Sequence, residues 1–371
     1  MAQTDQKIFN VGVVGYGMSA KIFHIPFITT TPAFKLHSIL QRNPQPESSA
    51  PQDYPNLKHF KSMDTFLADT DLDLVVLTTT PETHFPLAQQ SLNAGKHVFV
   101  EKPFVPSSAE AAELIALADE KRLALCVYQN RRWDSDFLTV RKLLADGDGV
   151  LGRVYEFETH FDRYRADKPT SWKGELSIAK GGSVLYDLGT HLVDQAYVLF
   201  GRPRSVFAKL VNQREGRILS AADPGVEPDS ASIQLFYPSG LIVYARMGVL
   251  SAETKQPRFW VRGAKGSYHK AGLDAQEDQL KAGMKTTDAQ FGRDPEELHG
   301  RLTTVGEDGQ MREEVCPNVE PVTYRRIYEL LGEALRGKGP VPVPASEARD
   351  VLRILEAARE STLTGREVEL P

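Results

Sequence analysis

The chain is poor in cysteine. Cys126 and Cys316 are its two thiols among 371 residues, and they stand in unrelated surroundings without metal-ligand spacing. A reducing, cytoplasmic setting is the simplest expectation. No apolar run approaches the roughly 18 residues that a membrane span needs. The opening MAQTDQK has no basic segment leading into an apolar core, so no secretory signal is expected. Long basic runs are also missing, and the net charge is −5. That argues against nucleic acid or an anionic membrane as the main partner. There is no internal repeat and no low-complexity segment. What remains, 41% hydrophobic and 25% charged residues, is the make-up of an ordinary globular protein, long enough for two or three domains.

The most informative stretch is KIFNVGVVGYGMSA, Lys7 to Ala20. The run Ile8 to Val14 reads as a buried strand. It leads into Gly15-Tyr16-Gly17-Met18-Ser19-Ala20 and then into a helical stretch, the context in which G-x-G-x-x-A binds a dinucleotide. Gly15 permits the tight turn, Gly17 lets a pyrophosphate approach the backbone, and Ala20 allows close packing of helix on strand. The helix start offers N–H groups and partial positive charge to the phosphates.

Strands and helices alternate over residues 1–130, which implies a parallel, doubly wound Rossmann domain covered on both faces. After Arg131 the pattern changes. Gly152 to Tyr164 alternates, with Tyr155, Phe157, Thr159 and Phe161 on one face and Glu156, Glu158, His160 and Asp162 on the other. Further strands are expected at 205–210, 232–236, 241–248 and 259–263. The fold class is therefore α/β, an N-terminal Rossmann domain followed by a C-terminal α+β domain, 131–371, with an open, mostly antiparallel sheet. Region 270–320 reads as polar and irregular. Two helices close the chain within 324–362, placed to pack back on the first domain.

Three segments could carry chemistry. Glu101-Lys102-Pro103 follows a strand of the first domain, and strand C-terminal ends face the ligand crevice of a doubly wound sheet. Asp187, His191 and Asp194 are spaced four and three apart and share one face of a helix. A carboxylate beside an imidazole suits a general base. A metal site and a satisfied helical polar network are the rival readings, and with a single histidine no metal is expected. Asn130-Arg131-Arg132-Trp133 sits at the crossing between domains. Its arginines could hold a cofactor phosphate, substrate oxygens or an interdomain salt bridge.

In this order, GYGMSA, Thr79-Thr80-Pro81 with His84, Glu101-Lys102-Pro103, Asn130-Arg131-Arg132-Trp133 and Asp187-x-Gly189-x-His191 make the chain resemble the glucose–fructose oxidoreductase, inositol dehydrogenase and MocA family. The segments YQNRRWDSDFLTVRKLL, FDRYR, VLYDLGTHLVDQ and GLDAQEDQLKAG look most like its NADP-dependent scyllo-inositol dehydrogenases. The resemblance implies an NAD(P)-dependent enzyme that moves a hydride between a nicotinamide and a carbon bearing a hydroxyl or carbonyl. It implies that Lys102, Asp187 and His191 are catalytic, with His191 as base, Asp187 orienting it and Lys102 polarising the substrate oxygen; an alternative gives Lys102 the proton transfer. It places Gly15, Tyr16, Gly17, Met18, Ser19, Ala20, Thr79, Thr80, Pro81, His84, Glu101, Lys102, Asn130 and Arg131 around the cofactor.

Cofactor choice is legible at the end of the second strand, Leu40-Gln41-Arg42-Asn43. No acid is present there to bind the ribose 2′-OH of NAD, and Arg42 suits a 2′-phosphate, so NADP is favoured over NAD. For the substrate, a polyol or sugar and best an inositol, the expected contacts are His160, Asp162, Arg163, Tyr164 and Trp172. Aldose or keto-sugar chemistry remains an alternative, and a non-catalytic sensor is a second class. An apolar sheet face without helices would make a homodimer or a dimer of dimers.

Overall fold

The computed structural model describes residues 7–145, 149–170 and 172–371; the side chains of Trp172 and Lys173 lie outside the described residues. The chain divides into two compact units. One runs to Asn130 and includes Gln276–Phe291 and Val322–Arg349. The other comprises Arg131–Ala275, Gly292–Pro321 and Asp350–Pro371.

The first unit is built on strands β1 (Phe9–Val14), β2 (Phe34–Leu40), β3 (Lys58–Phe60), β4 (Leu74–Leu77), β5 (His97–Val100) and β6 (Leu125–Val127), with helices α1 (Ile25–Thr30), α2 (Ala50–Asp53), α3 (Met63–Leu67), α4 (Pro81–Asn93) and α5 (Ser108–Lys121). The strands pair in the order β3-β2-β1-β4-β5-β6, all parallel. The apolar runs of β1, β4 and β5 follow from this, since a parallel sheet is covered on both faces. Strand order reverses between β1 and β4, the switch point where such sheets bind ligands. Helix α5 starts as its sequence asks, with the Ser107 hydroxyl accepting the Glu110 N–H at 3.2 Å.

The second unit contains α6 (Ser135–Ala145), α7 (Trp172–Glu175) and α8 (Thr190–Phe200), with strands β7 (Val154–Asp162), β8 (Ser205–Asn212), β9 (Arg217–Ile218), β10 (Ser230–Phe236), β11 (Ile242–Gly248), β12 (Pro257–Gly263), β13 (Gly266–Ala271), β14 (Gly300–Val305), β15 (Met311–Cys316) and β16 (Val368–Glu369). Their order is β15-β14-β13-β12-β7-β11-β10-β8-β16, with β9 beside β8; β7 and β11 run parallel and the other pairs antiparallel.

Two expectations about this sheet need correction. The stretch 270–320 is not irregular: it holds the α9 helix (Gln276–Lys281) and the β14–β15 hairpin. β15 escaped notice because it is an edge strand, exposed over nearly its whole length, and has no core face to impose alternation. The second correction concerns the open face. Phe157, Phe161, Val243, Ala245 and Met247 are buried, on the side where α8 packs against β7 and β11. The opposite face carries Glu156, Glu158 and His160 beside Tyr244, Arg246, Trp260 and Arg262. It is aromatic and charged instead of apolar, because the apolar set is spent on the helices.

The chain then returns. Residues 276–291 and the helix α10 (Arg325–Leu335) belong to the first unit, whereas α11 (Ala345–Thr364) belongs to the second from Asp350 onward. Tyr328 of α10 is fully buried and packs on the rings of Phe27, Phe34, Phe99 and Tyr128 at 5.4–6.3 Å. Gly332 lets this helix approach: a Cβ there would lie 2.5 Å from the Ala33 Cβ. Gly332→Ala raises helix propensity by about 1 kcal/mol, but Ala33 has no rotamer that yields. Overpacking, about 1–3 kcal/mol, wins. Denaturant unfolding should show the variant less stable than the parent; a stabilised variant would refute this packing.

Candidate active site

The dinucleotide turn takes the shape its glycines require. Gly15 has φ +97°, and a Cβ on it would meet the Thr78 hydroxyl at 2.9 Å. That hydroxyl donates to the Val14 carbonyl at 2.9 Å. Around Gly17 the space is open, with nothing within 4 Å of a Cβ position. This cradle is where a pyrophosphate needs bare backbone, so the turn fits a dinucleotide. Helical backbone begins at Met18, which is exposed, and passes through a π turn, Ala20–His24, into α1. Ala20 is fully buried. The buried Tyr16 donates its hydroxyl to Asp53 at 2.6 Å. Arg42 is exposed just beyond β2.

Glu101, at the end of β5, ties this turn to the lysine. Its Oε1 accepts from the Ser19 hydroxyl and from His24 Nε2 at 3.1 Å, and its Oε2 accepts the Lys102 backbone N–H at 2.9 Å. His24 Nδ1 lies 2.6 Å from the Tyr328 hydroxyl. A carboxylate only accepts, so His24 donates from Nε2, while its Nδ1 and the Tyr328 hydroxyl share a hydrogen bond. Burial alone would raise the Glu101 pKa, but the hydrogen bond and charge of His24, the Lys102 charge and the Ser19 hydroxyl outweigh it and hold the carboxyl below its ordinary range. Burial, followed by the neighbouring Tyr128 and Glu101, keeps Tyr328 a phenol. Lys102 is half-buried, and its peptide with Pro103 is cis.

The Thr79–His84 segment starts α4, with Thr80 as N-cap and Pro81 in the first turn. Thr80 donates to Glu82 at 2.7 Å and Thr83 to the Thr79 hydroxyl at 2.7 Å. His84 is fully buried. Its Nδ1 faces the Pro103 and Phe104 carbonyls at 2.9 and 3.2 Å, and its Nε2 faces the Thr79 carbonyl at 3.1 Å. Desolvation lowers its pKa. The ring lies between the lysine turn and the start of α4, and both of its nitrogens face protein carbonyls.

In the second unit, Asp187 lies in a π turn, Leu185–Gly189, directly before α8, and His191 stands buried in the first turn of that helix. Among the described residues the two π turns of the chain fall at two of its motif segments, the end of the dinucleotide turn and Asp187-x-Gly189, and such turns collect at functional sites. Asp194 is buried in α8, three positions after His191. It takes both arms of Arg132, at 2.8 and 2.6 Å. Gln195 receives Arg258 at 3.1 Å and donates to the Arg131 carbonyl at 3.0 Å. The arginine segment, whose short 3-10 turn begins at the buried Asn130, thus anchors α8 within the second unit. Arg131 is buried, bonded to Asp134 at 3.1 Å and set over the Phe161 ring at 4.7 Å. Burial and the nearby Asp274 push the Asp134 carboxyl well above the usual range.

Phe161 is the platform that sequence alternation showed only as core. Besides Arg131 it carries Arg163, at 4.8 Å, and the His191 ring, stacked at 6.2 Å and 27°. His160, one residue earlier, points to the other face, between Asp162 and Glu158 at 3.2 Å each. It is therefore turned away from the Phe161 platform. Tyr164 is exposed. The Trp172 side chain lies outside the described residues. A cavity of about 100 Å³ is lined by Asp187, Ser183, Arg163, Arg165 and Arg214 among others. Arg214, which no motif signalled, donates to the Arg165, Ala166 and Asp167 carbonyls and to Asp229 at 2.7 Å. It pins the chain after β7 along the cavity wall. Arg132→Met should cost about 3–5 kcal/mol, the scale of breaking one side of a buried ion pair. Urea unfolding checks this, and a loss under 1 kcal/mol would remove the anchoring role.

Comparisons with known proteins agree with this geometry. Residues 9–129 match the model described as oxidoreductase family, NAD-binding Rossmann fold, and residues 142–370 match that of the same family's C-terminal alpha/beta domain. Uncharacterized oxidoreductase C115.03 of Schizosaccharomyces pombe is 39% identical over 96% of this chain and 98% of its own length. The scyllo-inositol 2-dehydrogenase (NADP(+)) IolW of Bacillus subtilis is 34% identical over 97% of this chain and 95% of its own. The structure of an oxidoreductase from Bacillus cereus superposes with a TM-score of 0.85 at 30% identity, covering 98% of this chain and 99% of that one. No described helix is long and apolar enough to cross a membrane. With a dinucleotide turn built on Gly15 and Gly17, a six-stranded parallel sheet in the first unit and a large mixed sheet in the second, the chain belongs to the Gfo/Idh/MocA family of NAD(P)-binding oxidoreductases.

Proposed function

We propose that the protein is an NADP-dependent dehydrogenase of a polyol or sugar, with an inositol as the best candidate substrate. The observation that carries the reading is Glu101. One buried carboxylate holds both Ser19 of the dinucleotide turn and the Lys102 backbone N–H, so the lysine is fixed beside the nucleotide site. The 34% identity to a protein named as an NADP-dependent scyllo-inositol 2-dehydrogenase supports the inositol and the cofactor. Arg42, exposed where an NAD enzyme would carry an acid, supports the cofactor independently.

A bound nicotinamide supplies the hydride acceptor for oxidation and the donor for reduction. His191 takes the hydroxyl proton as the adjacent C–H bond breaks and the carbonyl forms, and returns it in the reverse direction. Asp187 orients the imidazole. Lys102 places positive charge on the substrate oxygen and stabilises alkoxide character. Arg163 and the cavity wall that Arg214 holds offer polar groups to the remaining hydroxyls.

Absorbance at 340 nm, with NADP+ and a panel of inositols and sugars, tests the substrate. Lys102→Met should leave NADPH binding nearly intact and lower kcat by about 100-fold or more, the scale of losing one electrostatic stabiliser. His191→Asn should lower the rate and flatten the pH dependence of kcat/KM. Near-normal turnover in Lys102→Met would sink the mechanism.

A further inference from the structure

We infer that Lys21 is a second, pre-positioned cation for the 2′-phosphate of the cofactor, and that it discriminates NADP from NAD together with Arg42. The inference rests on the NADP reading and extends it to a residue that the glycine fingerprint does not include.

Lys21 sits in the π turn that follows the dinucleotide turn. Its ammonium donates to the Ser48 hydroxyl at 2.9 Å and lies 4.5 Å from the centre of the Tyr16 ring. Ser48 belongs to the loop that leaves β2. Gln41, the neighbour of Arg42, fixes that loop by donating to the Ser48 carbonyl at 2.7 Å and accepting the Ala50 N–H at 2.8 Å. Lys21 is thereby held against the segment that Arg42 begins, on the side of β2 where the second ribose of a dinucleotide lies in this fold.

The partners of Lys21 are an uncharged hydroxyl and a π face. They orient an ammonium without neutralising it. Among the described residues neither Lys21 nor Arg42 has a carboxylate within ion-pair distance. Asp53, in α2 beyond the loop, is taken by the Tyr16 hydroxyl at 2.6 Å. An ammonium has three donors, and Ser48 uses one. Two uncompensated cations flanking one loop suit a dianion and give nothing comparable to a neutral 2′-hydroxyl. Arg42 is exposed, whereas Lys21 is already held by Ser48 and the Tyr16 ring.

The test is equilibrium titration of the full chain with NADPH and with NADH, followed by nicotinamide fluorescence, for the parent, Lys21→Met, Lys21→Arg and Arg42→Ala. Lys21→Met should weaken NADPH by about tenfold or more, the scale of one charge-assisted hydrogen bond, and leave NADH within about twofold. Lys21→Arg, which keeps the charge, should keep most of the preference, and Arg42→Ala should fall in the same direction as Lys21→Met. Equal weakening of both cofactors in Lys21→Met would overturn the proposal and assign the lysine to the shared pyrophosphate or to the fold. An unchanged NADPH affinity would overturn it as well. In both cases a parent that prefers NADPH leaves the NADP reading standing. A parent that binds NADH more tightly than NADPH would instead overturn that reading, and the proposal with it.

Discussion

The first unit depends on the charge of Glu101. A buried carboxylate is costly unless its oxygens are satisfied, and here three groups from two chain segments satisfy it: Ser19 and His24 from the dinucleotide helix, and the backbone of Lys102. Tyr328 closes the relay from the returning helix α10 through His24. The nucleotide turn, the lysine turn and the helix near the chain's end therefore share one hydrogen-bonded centre. None of the three can shift without stranding a polar group in the interior.

The second unit solves a similar problem with paired charges. Arg132 and Asp194, Arg258 and Asp136, and Lys270 and Asp294 are buried ion pairs. Such pairs add little net stability over apolar packing, but breaking one side is costly. Arg132 and Arg258 of the first two pairs also hold α8, through Asp194 and Gln195 in its middle. His191 rides on that helix and rests on Phe161, so groups outside the Asp187–His191 motif also bear on where its ring lies. His84 plays the corresponding part in the first unit, joining the lysine turn to α4 by carbonyl contacts on both sides of its ring.

Much of this was legible in the amino-acid order. Fully buried parallel strands leave continuous apolar runs, and β1, β4 and β5 were readable for that reason. Gly15 and Gly17 were readable because each answers a backbone constraint. Edge strand β15 was not readable, since no core face marks its sequence. The character of the open sheet face was misjudged because which parity of β7 and β11 meets the helices is decided by packing, and α8 takes the apolar one. The roles of Arg131 and Arg132 stayed open for a related reason: an arginine pattern is the same whether its partner is a phosphate or a buried aspartate.

The sequence by itself determined the fold class, the dinucleotide turn and the motif residues, because local periodicity, glycine geometry and residue chemistry act within a few positions. Only the tertiary structure decided which polar groups meet. His24 reaches Tyr328 across 304 positions, Asp194 reaches Arg132 across 62, and Lys21 reaches Ser48 across 27. Hydrogen bonds and ion pairs depend on distance in space, and separations of that size leave no pattern in the order of the residues.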